Sequence, residues 1–260
     1  MTTRKPLVFA SLLALACLFS SRSVTAQSSI VHDVADDAKH YFTAPLHWNS
    51  RDWLHVGETM IVIGVAHEYD DDMRKHFAGV DPVLDGKDPH SMRDALPAAA
   101  VVAGTWAFAT LLNDHDGYHE GREMLEAAGF SAVTTTLFKF AAGRRRPNET
   151  NRVDDWSNGG DSFPSLHVSA AFAIGGVLAE GGSDRYRWVR RVLGYGMAGA
   201  TAYGRLHDNV HWLSDTVAGA AIGIASARFV VKRGDDHTRH SAFSLLPTDG
   251  GLMLTFNTTR

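Results

Sequence analysis

Between residues 28 and 232 almost nothing in this sequence alternates with period two. Apolar residues recur instead at three- and four-residue steps, the spacing that lines one face of a helix. A chain of 260 residues patterned this way is confined to packing helix on helix, because it offers no strand face from which to build a sheet. The fold class expected is therefore all-α, a multi-helix bundle. The pattern predicts helices over 28–43, 52–67, 92–113, 119–142, 164–180, 185–204 and 211–232. Pro45 ends the first, and the acidic run Asp70, Asp71, Asp72 closes the second. Gly79, Pro82, Gly86 and Pro89 mark a loop over 79–91; Asn148, Asn151, Asn158, Gly159 and Gly160 mark another over 147–163. Only the tail, 241–258, alternates, at Leu252, Leu254 and Phe256, as one strand, a hairpin or a loose extension would.

The first 26 residues read as an address. Arg4 and Lys5 precede an apolar stretch from Leu7 to Phe19, and Val24-Thr25-Ala26 places small residues where a signal peptidase cuts, before Gln27. An uncleaved anchor is the alternative, although the apolar run is short for a span. Cleavage removes Arg4, Lys5 and Arg22 from 25 basic residues set against 29 acidic ones, so the net charge moves from -4 to -7. It also removes Cys17, the sole cysteine, which leaves no disulfide and no thiolate metal site. An acidic total excludes a global basic field for nucleic acid.

Hydropathy bears on the membrane. Mean hydropathy is -0.13, low for a chain made mostly of spans. The stretch 95–112 is long enough to cross a bilayer. The other helices carry Glu123, Glu126 and Lys139, or Asp215 and Arg228. Charges at a bilayer centre are costly unless they serve a site. The balance favours an exported, periplasmic bundle, associated with a membrane surface at most, over an integral one.

Three separated clusters carry chemistry. In Lys139-Phe-Ala-Ala-Gly-Arg-Arg-Arg146-Pro147, Lys139 and Arg146 lie seven residues apart, two helical turns, and Pro147 stops the helix. Two cations on one face make an anion site, with the guanidinium fork suited to phosphate oxygens; a solvated basic helix end fits equally. In Ser162-Phe-Pro164-Ser165-Leu166-His167, Ser165 is placed as a helix cap, the following amides point outward, and His167 lies in the first turn. A plain cap with an incidental histidine is the alternative. In Gly204-Arg205-Leu-His-Asp-Asn-Val-His211-Trp-Leu-Ser-Asp215, His211 and Asp215 are four apart. A carboxylate there can hold one imidazole nitrogen and leave the other as a nucleophile; an ordinary intrahelical pair fits too. His207, His211 and Asp215 also step like a zinc cluster, but the nearby arginines argue for an anion instead. Arg144 and Arg145 would widen the positive patch or meet solvent or lipid headgroups.

Taken together, the order and spacing of these clusters resemble the type-2 phosphatidic acid phosphatase superfamily, with its K-x6-R-P, P-S-G-H and S-R-x5-H-x3-D motifs. Lys139, Arg146 and Pro147 match the first in full. Pro164, Ser165 and His167 match the second, with Leu166 in place of glycine. Arg205, His211 and Asp215 match the third, with Gly204 in place of serine. The resemblance covers roughly 92–232. It implies a helical catalytic bundle over 92–232, an N-terminal helical segment over 27–91 packing on it, and a tail over 233–260.

The resemblance also implies roles. His211 attacks phosphorus to give a phosphohistidine, Asp215 orients it, and His167 protonates the leaving group and then activates water. Lys139, Arg146, Ser165, the Leu166 amide and Arg205 hold the equatorial oxygens, with no metal or other cofactor. The expected function is an exported, metal-independent phosphatase acting on a phosphate monoester or diphosphate. The substrate would be a lipid phosphate such as a polyprenyl diphosphate or phosphatidate, or a small soluble ester. A vanadium-dependent haloperoxidase, which uses the same pocket for vanadate, and a non-catalytic anion- or lipid-binding module are the alternatives.

Overall fold

The computed structural model describes residues 24–80, 84–88, 91–112, 115–182, 186–239, 242–248 and 251–257. The expected signal peptide lies largely outside the described residues, and its small-residue end, Val24-Thr25-Ala26, begins the first helix. That helix, α1 (Val24–Thr43), is followed by a 3-10 turn over Ala44–His47. Then come α2 (Ser50–Glu68), α3 (Asp70–Ala78), α4 (Ser91–Leu112), α5 (His115–Ala142), α6 (Leu166–Glu180), α7 (Arg187–His207) and α8 (Leu213–Arg239). The chain divides after Phe42 into two units. Everything below concerns the second.

The all-α bundle expected from the pattern is what the chain forms. After α8 an antiparallel hairpin pairs β1 (Ala242–Thr248) with β2 (Gly251–Asn257), in a register that sets Leu245 opposite Leu254. The acidic run at 70–72 does not close a helix. It opens α3, where three carboxylates in the first turn oppose the positive helix end.

Helix α6 is the centre. It packs against α4, α5, α7 and α8, and Val168, Ala171, Ala173, Ile174, Val177 and Ala179 are all buried. A helix apolar on every side belongs inside. Its small residues decide how close the neighbours come. A Cβ on Gly175 would lie 2.3 Å from the Gly194 carbonyl oxygen of α7, and one on Gly194 would lie 2.2 Å from that of Gly175. On the α8 side, a Cβ on Gly219 would meet the Ser165 carbonyl oxygen at 2.6 Å, and one on Gly223 that of Ser169 at 2.3 Å. Main chain therefore touches main chain along both seams. The second seam brings the start of α6 against the start of α8, where two of the three clusters reside.

Candidate active site

The first cluster is not laid out as the helical spacing predicts. Helix α5 stops at Ala142, four residues before Arg146, because Gly143 adopts φ +55° and donates its N–H to the Lys139 carbonyl at 2.9 Å. That left-handed step is the usual glycine stop. The following loop folds back on itself: Ser157 N–H donates to Ala142 O at 2.9 Å, Arg145 N–H to Asp155 O at 3.0 Å, and Ser162 N–H to Arg144 O at 2.9 Å. Lys139 and Arg146 therefore meet through a loop, not through a shared helical face. Lys139 Nζ donates to the carbonyl of Asp161 and, at 3.4 Å, to that of Ser162. Arg146 Nε donates to Asp161 Oδ1 at 2.9 Å.

The second cluster stands as placed. Ser165 is the N-cap of α6 with an extended backbone (φ -76°, ψ 117°), and His167 lies in the first turn. The Ser165 side chain, however, caps nothing. Its hydroxyl is buried without a hydrogen-bond partner, and a buried donor is costly unless something arrives to satisfy it. The Ser165 N–H donates to the Asp215 carbonyl at 3.0 Å, joining this cluster to the third.

In the third cluster, α7 runs to His207 and keeps Arg205, fully buried, in its last turn. Asn209 at φ 54° reverses the chain, and His211 precedes α8 instead of lying within it. His211 and Asp215 still meet: Nδ1 is 3.4 Å from Oδ2. That oxygen also accepts from Trp212 N–H at 2.9 Å and from Ser162 Oγ at 2.5 Å. Burial, first, and then the charges of Arg146, Lys139, Arg205 and His167 hold His211 well below the ordinary histidine range. Its imidazole is neutral at neutral pH, with a lone pair available. His207, by contrast, has a largely exposed side chain paired with Asp208. Among the described residues no group of three His, Cys, Asp or Glu side chains gathers for a metal.

Several residues that the sequence left unassigned are central. Arg144 does not widen a surface patch; it is wholly buried. Its Nη1 donates to Asp215 Oδ1 and Ser214 Oγ at 2.8 and 2.7 Å, and its Nη2 to Asp70 Oδ2 at 2.8 Å and Val153 O at 2.9 Å. Trp156 and Trp212 flank the guanidinium at 4.4 and 5.1 Å. Asp70 in turn accepts from the Ser214 N–H at 2.8 Å and hydroxyl at 2.6 Å, and lies 2.9 Å from His67 Nδ1. A buried chain of bonds thus runs from α3 through Arg144 to the carboxylate that faces His211. A further contributor is Asp88, whose carboxylate lies between Arg146 and Arg205.

Lys139 titrates well below an ordinary lysine. Burial pushes it down to about 8, with Arg146 and Arg205 acting in the same direction and Asp161 and Asp215 opposing. Lys139 is charged below that value and neutral above it. Sulfate keeps its charge throughout this range, so its affinity is expected to fall as pH rises through about 8. Lys139→Arg, charged at every pH used, is expected to flatten the fall, as calorimetric titration across that range would show.

The profile of the PAP2 superfamily matches residues 121–239. A lipid A 1-phosphatase from Porphyromonas gingivalis is 36% identical over 86 residues, 33% of this chain and 17% of that protein. The chain therefore spans only a small part of that relative's length. Two solved structures are similar. One is LpxE from Aquifex aeolicus, at 18% identity over 62% of this chain and 93% of that one, with a TM-score of 0.35. The other is a transmembrane PAP2 type phosphatidylglycerolphosphate phosphatase from Bacillus subtilis, at 19% identity over 90% and 96%, with a TM-score of 0.41.

Proposed function

We propose that this chain, whose residues 121–239 match the PAP2 superfamily profile, is a metal-independent phosphatase that works through a phosphohistidine at His211. The observation that carries the reading is a neutral, buried imidazole beside a carboxylate, surrounded by Lys139, Arg146 and Arg205. Only an anionic electrophile has reason to enter such a pocket. The His211 nitrogen not facing Asp215 attacks phosphorus, and the P–O bond to the leaving group breaks. His167, whose charge reaches both His211 and Asp88, gives its proton to that leaving oxygen. It then takes a proton from the water that cleaves the P–N bond, which returns His211 free and releases inorganic phosphate. Lys139, Arg146 and Arg205 neutralise the equatorial oxygens, and the buried Ser165 hydroxyl gains its missing partner. Leu166 contributes a backbone amide, and its side chain, bulkier than the family's glycine, tunes rate or substrate preference.

The substrate we infer is a lipid phosphate. Large apolar side chains face outward on three helices: Ile61 on α2, Phe138 and Phe140 on α5, Trp188 and Leu193 on α7. Phe140, 84% exposed, directly follows the site lysine. Such surface fits the acyl region of a membrane better than water. Within α8, Leu213–Gly234 is long and apolar enough to cross a membrane, and half of it is buried in the bundle. The lipid A 1-phosphatase relative is named for a lipid phosphate. We assign the protein to the periplasmic face of a membrane, exported by its N-terminal segment.

The test is phosphate release by the full chain from a panel that pairs lipid phosphates, presented in vesicles, with water-soluble esters. Added methanol should divert product to methyl phosphate, as a shared covalent intermediate requires. Release from the soluble esters alone would remove the lipid assignment. Bromide oxidation on adding vanadate, without phosphate release, would replace the hydrolase reading with the haloperoxidase one.

A further inference from the structure

The cations assigned to phosphate are already engaged. Arg205 Nη1 donates to Asp88 Oδ1 at 3.0 Å and Nη2 to Oδ2 at 2.5 Å, a two-point fork, while Arg146 Nη1 donates to Oδ2 at 3.3 Å. This is the geometry in which guanidinium groups take an oxyanion. Asp88 ends a short strap, 84–88, whose other described residues are exposed. Asn148 ties the strap down: Gly86 N–H donates to the Asn148 carbonyl at 3.0 Å, and Asn148 Nδ2 to the Lys87 carbonyl at 2.7 Å. Asn148 lies two residues past Arg146, so the clamp holds the carboxylate in register with the arginine it meets. Burial raises the Asp88 carboxyl, but Arg205, Arg146 and His167 outweigh it, and the group is held below the usual range. A carboxylate brings one charge and two oxygens to this fork, whereas a terminal phosphate brings two charges and three oxygens.

Resting on the phosphatase reading, we propose that Asp88 is an internal ligand of the oxyanion site, holding Arg146 and Arg205 until an incoming phosphate displaces it. The residue thereby sets the affinity threshold of the site: weak anions fail to dislodge the strap, and a phosphate monoester succeeds. The arithmetic of such a device is particular. If the strap is out of the fork in only a fraction of molecules, the apparent dissociation constant of every anion rises by the inverse of that fraction, whatever its charge. A carboxylate acting only through its field would instead penalise a dianion about twice as much, in free energy, as a monoanion.

Sulfate and methanesulfonate separate the two, since both are tetrahedral at sulfur and keep charges of two and one at every pH used. Calorimetric titration of the full-length protein is expected to show both anions binding about tenfold more tightly to Asp88→Ala, by the same factor for each. Asn148→Ala, which frees the strap and leaves every guanidinium donor in place, is expected to shift both in the same direction, and it serves should the Asp88 variant fold poorly. A gain that grows with anion charge, no gain, or weaker binding would overturn the proposal. Phosphate release by wild type with no such gain would bring down this inference alone. Absence of both phosphate release and anion binding in all forms would bring down the phosphatase reading with it.

Discussion

Replacing His211 by alanine is expected to lower phosphate release by about 10⁴-fold or more, with sulfate binding retained. The size follows from the lack of a substitute. His211 is 3% exposed, and the cations around it hold its ring neutral at neutral pH. The other polar groups here are poorer nucleophiles: Ser162 is bonded to Asp215, and Ser165 is a hydroxyl without a hydrogen-bonded base. His167 sits in the first turn of the neighbouring helix and is the proton donor proposed above. Binding survives because Lys139, Arg146 and Arg205 do not depend on the imidazole for position; their partners are Asp161, Ser162 and Asp88. Steady-state release and calorimetry on the same preparation decide the matter. A residual rate within tenfold of wild type would mean that the attacking group is water and that no phosphohistidine forms.

Arg144→Met is expected to destabilise the fold by about 3–5 kcal/mol, the cost of breaking a buried ion pair from one side. Both carboxylates that share this guanidinium, Asp70 and Asp215, are wholly buried, as Arg144 is itself. Removing it strands two charges and leaves Val153 O and the Ser214 hydroxyl short of a donor. An arginine that merely spread positive charge over a surface would cost under about 0.5 kcal/mol on replacement, so a urea midpoint separates the two descriptions. Lysine is not expected to rescue, because one ammonium cannot span Asp70 and Asp215 as two arms of a fork do. Adding Asp70→Asn to Arg144→Met is expected to cost less than the sum of the single changes, since the neutral amide no longer needs the missing cation.

The helices were legible because their pattern is local. The start at Ser165 and the stop at Pro45 are written in one or two residues, whereas the stop that Pro147 suggests belongs to Gly143. Lys139, Arg146, Arg205, His167, His211 and Asp215 could be picked out because their three clusters together resemble one family's motifs; each cluster alone fitted an ordinary helix end, cap or intrahelical pair as well. The structure brings these residues together, though by other local routes than helix spacing predicts. Gly143 turns Arg146 into a loop residue, and Asn209 leaves His211 ahead of its helix. Asp70, Arg144 and Asp88 were not legible. Asp70 meets Ser214 across 144 positions and Asp88 meets Arg205 across 117. Nothing near a carboxylate in sequence says which distant cation it will find. Arg144 was misjudged for a related reason: within a run of three arginines, side-chain identity alone does not tell the buried one from its neighbours. The glycine before it, ending the helix, was the available signal, since it turns the next side chain inward.

The seams at Gly219 and Gly223 carry a consequence for how such a protein can change over time. Where one backbone rests on another, the gap is set by atoms common to every amino acid. Local substitutions can only enlarge, and enlargement pries the two helices apart. The spacing between Ser165 and Asp215, which face each other across this seam, is thereby insulated from drift in the rest of the sequence. The strap and the outward apolar faces have no such restraint. A lineage built on this frame can vary its rim while the distance between these two helices stays constant.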